Sequence, residues 1–140
     1  MRILLAVDGS AYTKKMLAYL AAHPEFLVDV SSITVLNVRP ALPPRARAAL
    51  DKEVVDSYHA DEAAKVLDPV VKFLARQNLK PKTAWKVGPA GETIAKFAET
   101  GKFDLLIMGS HGQGALSNLV MGSVATQVLA RCKVPVLLVR

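Results

Sequence analysis

Short apolar runs alternate with longer amphipathic stretches along the whole chain. Residues 3–7 form a continuous apolar run, which is typical of a β-strand covered on both faces. Four further runs rich in strand-forming residues lie at 28–38, 83–87, 104–108 and 134–139. Because helical segments separate these runs, the pattern predicts a parallel sheet with helices on both faces.

The intervening segments carry the signals of helices. They predict helices at 10–22, after a Pro/Arg-rich connection (40–47) up to about residue 78, at 92–100 and at about 122–131. Ser10 stands where it can cap the first of these helices. Pro69 lies inside the second and predicts a kink or a break into two helices. The whole chain, residues 1–140, is therefore expected to form a single α/β domain.

Composition narrows the class of protein. The chain is 51% apolar and 21% charged, as expected of a globular domain. No apolar stretch approaches the roughly 20 residues that span a bilayer, so no membrane partner is expected. The apolar start ends at Asp8 without an export cleavage pattern, so we interpret it as the first strand. A single cysteine, Cys132, agrees with a reducing compartment and favours a cytoplasmic protein, in which this thiol packs and does not react.

The net charge of +6 favours anionic partners. The basic residues are scattered, however, and the only cluster, Arg39 to Arg47, is interleaved with prolines and not with aromatic residues. No nucleic-acid-binding motif is present. We therefore expect a solvated basic surface and no nucleic-acid partner.

The most informative segment is a glycine loop, Gly109-Ser110-His111-Gly112, followed by Gly122-Ser123. The loop follows a predicted strand, and Gly122 opens a predicted helix. Backbone N–H groups at a helix start, together with the helix dipole, favour an anion. The segment therefore predicts a site for a nucleotide or another phosphorylated ligand.

Spacing excludes the common alternatives. A P-loop requires a lysine before its Ser or Thr, and this segment has none. The dinucleotide fingerprint should follow the first strand, and here Gly112-Gln113-Gly114 follows the fourth and lacks a third glycine. A receiver domain would place an aspartate after the third strand, where this chain has Val87-Gly88-Pro89.

The spacing that does match is G-x2-G-x9-G-[ST], formed by Gly109, Gly112, Gly122 and Ser123. On this motif the chain resembles the universal stress protein family. The resemblance extends over five segments in order: residues 3–10, 87–94, 106–112, 122–125 and 134–139.

The resemblance implies a doubly wound, three-layer parallel sheet of order 3-2-1-4-5, adenine nucleotide alpha hydrolase-like in type. It also implies binding of ATP or another adenine nucleotide, with or without Mg²⁺, in a homodimeric stress-response sensor or regulator. The homodimer would form through the last strand, Val134 to Val139, which lies at a sheet edge in this order.

The site residues carried over from the family contact the nucleotide. The two loop glycines would let the backbone approach phosphates and ribose, the α-helix start from Gly122 would hold phosphate oxygens, and Asp8 and Val38 would lie on the base and ribose side. Gln113 stands where many relatives have a basic residue. The nucleotide-binding set is Ala6, Asp8, Val38, Met108, Gly109, His111, Gly112, Gln113, Gly114, Gly122, Ser123, Val124 and Ala125.

Several alternatives remain open at this level. Asp8 could cap the following turn, and Arg39 could reach the mouth of the site or lie on the surface. No catalytic residue and no metal ligand set is predicted, so hydrolysis would be slow at most. The rival function is a nucleotide-free dimeric adaptor of the same fold.

Overall fold

The computed structural model describes residues 1–113 and 120–140. Five strands form one parallel sheet in the order β3-β2-β1-β4-β5, which confirms the predicted order. The strands are β1 (Arg2–Ala6), β2 (Ser32–Arg39), β3 (Lys82–Val87), β4 (Leu105–Gly109) and β5 (Val136–Val139). The helices are α1 (Ala11–Ala22), α2 (Pro44–Ala49), α3 (Lys52–Arg76), α4 (Ala90–Thr100) and α5 (Ser123–Arg131).

The continuous apolar run of β1 is required because both faces of this central strand are covered. Ile3 and Leu5 belong to a core cluster with residues of α1 and α3. Leu4 and Ala6 belong to a second cluster with residues of α4 and α5. Successive strand residues point to opposite faces, so the run contributes to both clusters in alternation.

The parallel arrangement gathers the carboxyl ends of the strands at one edge. Ala6 pairs with Leu36 of β2 on one side and with Met108 of β4 on the other. The residues that follow these three positions therefore meet around the end of β1. The chain runs from β1 to β2 on one side, whereas β4 lies on the other side of β1, so the strand order reverses at this point. Ligands bind at such points in sheets of this type.

Two predicted strand boundaries are wrong. Residues 28–31 are not strand, because a 3₁₀ turn (Pro24–Leu27) and a tight turn precede β2. The last strand starts at Val136 and not at 134. Of the two alternatives at Pro69, the break does not occur: α3 is continuous, and Pro69 lies on its exposed side, where water can bind the carbonyl that the proline leaves unpaired.

Among the described helices, none has the length and hydropathy of a membrane span. The long helix α3 buries only one stripe, formed by His59, Ala63, Leu67, Val70 and Leu74. Its exposed residues are mostly polar, with Val54 and Tyr58 as exceptions, as expected for a helix packed on one side of a sheet.

Candidate functional site: a crevice at the carboxyl ends of β1, β2 and β4

Two adjoining cavities lie at the carboxyl edge of the sheet. The larger, about 600 Å³, is an outer crevice between the end of β2 and the start of α5. The smaller, about 60 Å³, is an inner recess beneath it. The two form one site, because both are lined by Asp8, Val38, Ala90, His111, Gly112 and Val124.

The structure brings the residues predicted from sequence to this site. Except for Gly114, which lies outside the described residues, each of them lines the recess, the crevice or both. Ala6, Met108 and Gly109 line the recess only. Gln113, Gly122, Ser123 and Ala125 line the crevice only.

The inner recess is apolar. Its walls include Ala6, Leu36, Val38, Ile94 and Met108, which come from β1, β2, α4 and β4. Ala6 is the small member of the set and leaves room at the end of β1. Leu36 and Ile94 were not predicted, because in the sequence they cannot be distinguished from ordinary core residues. At about 60 Å³ the recess is smaller than ligand pockets usually are, so only one edge of a flat apolar group would enter it and the rest would lie in the crevice.

Asp8 is held by its own neighbours. Its Oδ1 accepts hydrogen bonds from the backbone N–H of Ser10 and the hydroxyl of Thr13, both at 2.9 Å. The Asp8 N–H donates to the same threonine hydroxyl at 3.1 Å. Asp8 therefore caps the turn that follows β1. Ser10, the residue before α1, makes no side-chain cap bond, and its hydroxyl is buried without a partner. None of the described residues donates to Oδ2, the other carboxylate oxygen.

Contacts within the chain crowd all three motif glycines. A Cβ on Gly109 would lie 2.7 Å from the Cβ of Tyr12 in α1. One on Gly112 would lie 2.6 Å from Asp8 Oδ2. One on Gly122 would lie 3.1 Å from the Cα of His111. The motif therefore allows the loop, α1 and the end of β1 to pack closely, whatever a ligand requires in addition.

The start of α5 presents fewer open amides than the sequence predicts. The Gly122 N–H donates to the Ser110 carbonyl at 2.7 Å, so it is not available to an anion. Thr126 makes the first bond of the helix, to the Gly122 carbonyl. Among the described residues, no acceptor pairs with the N–H groups of Ser123, Val124 and Ala125. These three amides point out of the helix beside the crevice.

The loop side chains brace the crevice. The Ser110 hydroxyl and His111 Nδ1 are 2.8 Å apart, and the imidazole packs against Tyr12 with ring centroids 4.7 Å apart. Because Ser110 is only 2% exposed, this contact orients the histidine ring and does not present a nucleophile. Gln113 Nε2 donates to the Asp8 carbonyl at 3.3 Å and links the loop to the end of β1.

Two residues of β2 were not assigned to the site from sequence. Asn37 is 1% exposed; its Nδ2 donates to the Val7 carbonyl at 2.8 Å, and its Oδ1 is buried without a partner. Arg39 is half-buried, and its Nε is also buried without a partner. Both residues border the outer crevice, but their side chains leave β2 toward α3 with those of Ile33 and Val35, whereas Leu36 and Val38 face the recess. In the sequence, the only indication for these two residues is that they follow the apolar part of a predicted strand.

Other reactive groups lie elsewhere. Burial raises the pKa of the Cys132 thiol, whose Sγ is 3.9 Å from the Val134 carbonyl, so its reactive thiolate is disfavoured. Within residues 1–113 and 120–140, no three His, Cys, Asp or Glu side chains gather as a metal site would require. Trp85 packs against the core cluster beneath α3.

Comparison with known proteins agrees with this architecture. The model of the universal stress protein family matches residues 1–140. A universal stress protein of Thermus aquaticus, encoded in the 3′ region of a sulfhydrylase gene, is 31% identical over 145 aligned positions, which cover 99% of this chain and 97% of that protein. Slr1230 of Synechocystis is 33% identical over 99% of this chain, which spans only 42% of that longer protein.

Solved structures show the same fold. MJ0577 of Methanocaldococcus jannaschii superposes with a TM-score of 0.82 at 27% identity, covering 99% of this chain and 94% of that one. An Archaeoglobus fulgidus universal stress protein in complex with dAMP gives 0.70 at 21% identity, covering 100% and 98%. A family member from Arabidopsis thaliana with AMP bound gives 0.70 at 15%, covering 99% and 90%. The chain belongs to the universal stress protein family.

Proposed function

We propose that this protein binds ATP or another adenine nucleotide in the crevice and acts as a homodimeric sensor or regulator in the cytoplasm. The observation that carries the proposal is the junction of two unlike surfaces in one site. An apolar recess adjoins an outer crevice that is bordered by three open helix amides. A nucleotide has the same division between an apolar base and an anionic phosphate chain.

Each part of the ligand has a place in this proposal. The base enters the recess beside Ala6, Val38 and Met108. The ribose lies near Asp8, whose Oδ2 has no donor among the described residues and can accept from a hydroxyl. The phosphates lie at the start of α5. Fold relatives that hold AMP or dAMP support this choice of ligand.

Charge sets the role of Mg²⁺ in the proposal. Asp8 is the one carboxylate among the described lining residues, and it would repel a phosphate placed against it. A metal ion held by a triphosphate would relieve that repulsion. The structure offers no side-chain cluster for a resident metal within the described residues, so Mg²⁺ would arrive with the nucleotide.

Substitutions at Ser123 test the site. Ser123 is the first residue of α5, a position where proline is tolerated, and Gly122 before it is already extended. Ser123→Pro therefore removes an open amide with little harm to the helix, and Ser123→Ala removes only the hydroxyl. We expect the proline variant to weaken AMP and ATP binding about tenfold and the alanine variant by less.

Isothermal titration with adenosine, AMP, ADP and ATP, with and without Mg²⁺, is the measurement. Saturable binding by the unaltered protein and the order of the two variants are the expected results. If the unaltered protein binds no adenine nucleotide at millimolar concentration, the proposal fails. If Ser123→Pro bound AMP and ATP as tightly as the unaltered protein, the phosphates would not lie at the start of α5.

The proposed dimer pairs β5 with its copy. This strand lies at the sheet edge, and Val136, Leu137 and Leu138 remain partly exposed. The carbonyls of Pro135 and Val139 accept hydrogen bonds from the β4 side, so the N–H of Leu138 faces outward. Leu138→Pro should convert a dimer into a monomer in light scattering at ~10 µM, whereas Leu138→Ala keeps the N–H and serves as the control. A monomeric unaltered protein would refute this part.

A further inference from the structure

The size and the charge of the crevice favour different ligands. At about 600 Å³ the outer crevice is large enough for a nucleoside triphosphate. A triphosphate also brings several full negative charges, and a protein site that holds them has to offset their mutual repulsion. The charged groups around the crevice therefore decide how many phosphates it can hold.

The donors for a phosphate are confined to the first turn of α5. Among the described residues, no acceptor pairs with the N–H groups of Ser123, Val124 and Ala125. The amide before them, that of Gly122, already donates to the Ser110 carbonyl at 2.7 Å. The amides of one helical turn converge on one anionic group, and the helix dipole adds only about half a positive charge. This end of the crevice thus offers donors for a single phosphate.

The chain on either side of these amides adds no positive charge. Between Lys102 and Arg131 the sequence contains no lysine or arginine. Lys102 precedes β4 and so lies at the amino edge of the sheet, and Arg131 ends α5, at the end of the helix away from the crevice. The glycine loop and the first turn of α5 therefore bring no cation to the phosphates.

The arginine that borders the crevice does not replace that missing cation. Among the described lining residues of the crevice and the recess, Arg39 is the one Lys or Arg. Its side chain leaves β2 toward α3, on the same face as Val35, whereas Val38 faces the recess. On that side its charge acts on Glu62 of α3, whose pKa is lowered first by the hydrogen bond from Lys65 and least by Arg39.

A full negative charge does lie in the crevice. Asp8 lines both cavities, and none of the described residues donates to its Oδ2. Gly112 lies between this carboxylate and α5: a Cβ on Gly112 would lie 2.6 Å from Oδ2, and a Cβ on Gly122 would lie 3.7 Å from the Gly112 nitrogen. A phosphate at α5 is thus on the order of 10 Å from Asp8, about one Debye length at 0.1 M salt. Each further phosphate increases the repulsion.

We infer that this crevice selects its nucleotide by charge: it prefers a nucleoside monophosphate to the free triphosphate and accepts the triphosphate as its Mg²⁺ complex. This inference rests on the proposed nucleotide function. One phosphate takes up the three amides, whereas the outer two phosphates of free ATP meet no cation and are repelled by Asp8. Mg²⁺ held by those phosphates offsets part of their charge, so it raises ATP affinity and leaves AMP affinity unchanged.

The experiment varies the number of phosphates and the charge of the loop. Adenosine, AMP, ADP and ATP are titrated at about pH 8, so that histidine charge does not contribute, first in EDTA and then with Mg²⁺. The proteins are the unaltered chain, Gln113→Lys, Gln113→Met and Gln77→Lys. Circular dichroism checks the fold of each variant.

The three variants separate charge from its alternatives. Gln113 lines the outer crevice and is exposed, so a lysine there adds a charge near the phosphates. Gln113→Met loses the same hydrogen bond to the Asp8 carbonyl but adds no charge. Gln77→Lys makes the same exchange of residue types at the exposed end of α3, at the opposite edge of the sheet.

In EDTA we expect AMP to bind about tenfold more tightly than ATP, and also more tightly than adenosine. Mg²⁺ should reduce the difference between AMP and ATP. Gln113→Lys should raise ATP affinity in EDTA about tenfold and AMP affinity less than about threefold, because the added charge acts mainly on the outer phosphates. Gln113→Met and Gln77→Lys should keep the preference for AMP.

Several results would overturn the inference and leave the proposed function in place. If the unaltered protein bound ATP in EDTA at least as tightly as AMP, the crevice would not select by charge, and this comparison needs no variant. No gain in ATP affinity with Gln113→Lys would have the same meaning. An equal gain with Gln77→Lys would assign the effect to net charge, and one with Gln113→Met to the lost hydrogen bond. Absence of binding by any adenine nucleotide would instead end the proposed function itself.

Discussion

The two walls of the crevice differ in what explains their residues. In the glycine-loop wall, a Cβ on Gly109, Gly112 or Gly122 would crowd another part of the chain, and at Gly109 the neighbour is the Cβ of Tyr12. On β2, Asn37 and Arg39 keep polar atoms that no contact within the described residues satisfies, but their side chains leave the strand toward α3 and not toward the recess. The loop wall is thus largely explained by its own packing, whereas the unpaired groups of β2 belong to the other face of the sheet.

This difference shows what a glycine motif reports. Glycine permits close approach, but the approaching group can be a side chain of the same protein. For Gly109 that group is Tyr12, and for Gly112 it is Asp8. Unpaired buried polar atoms indicate a ligand more directly, but only where they face the site.

The largest effect is expected on the β2 wall. Asn37→Asp keeps the shape of the side chain and removes the N–H that donates to the Val7 carbonyl. A carboxylate would then be buried against a carbonyl oxygen, so the free energy of unfolding should fall by about 3 kcal/mol at pH 8. Urea denaturation measures it. An unchanged midpoint would mean that this wall opens to water in solution.

On the loop wall, Gly109→Ala should cost about 2 kcal/mol in the absence of any ligand, because the new Cβ meets Tyr12 Cβ at 2.7 Å. Urea denaturation measures this loss as well. The control is Ala11→Gly, which exchanges the same two residue types at an exposed position of α1. If Gly109→Ala lowered only nucleotide affinity and not stability, the glycine would serve the ligand and the contrast between the walls would disappear.

Asp8 lies between the glycine loop and β2, and Thr13→Val tests which contacts position it. The variant removes the hydroxyl that both donates to Asp8 Oδ1 and accepts from Asp8 N–H. We expect a loss of about 1.5 kcal/mol in the free energy of unfolding. Adenosine affinity should fall as well, which a titration would show. If Thr13→Val lowered the free energy of unfolding but bound adenosine with unchanged affinity, Asp8 would not contact the ligand.

The fold was largely predictable because hydrophobic periodicity is a local signal. The continuous run of β1 and the helix that follows Ser10 could each be recognised in the sequence. The strand prediction failed at residues 28–31, which contain valines but follow a proline turn. The break that was one alternative at Pro69 does not occur, because a proline on the exposed side of a helix is tolerated.

The candidate site was predictable to the extent that a motif marks it. The loop and Ser123 followed from spacing, and Asp8 and Val38 from resemblance. Leu36, Asn37 and Ile94 could not be found, because core residues and site residues of these types carry the same local signal. The pairing of the Gly122 amide with Ser110 depends on a contact between two segments and was predicted incorrectly as an open donor.

By itself, the sequence determined the class of fold, the order of its elements and the loop at which a phosphate is expected, since these depend on periodicity and spacing along the chain. Only the tertiary structure decided which groups of that site are still unpaired. In that site the three amides at the start of α5 and Asp8 Oδ2 lack a partner among the described residues, and on the other face of β2 so do Asn37 Oδ1 and Arg39 Nε. Whether a polar atom has a partner depends on segments far apart in the chain, and folding alone brings those segments together.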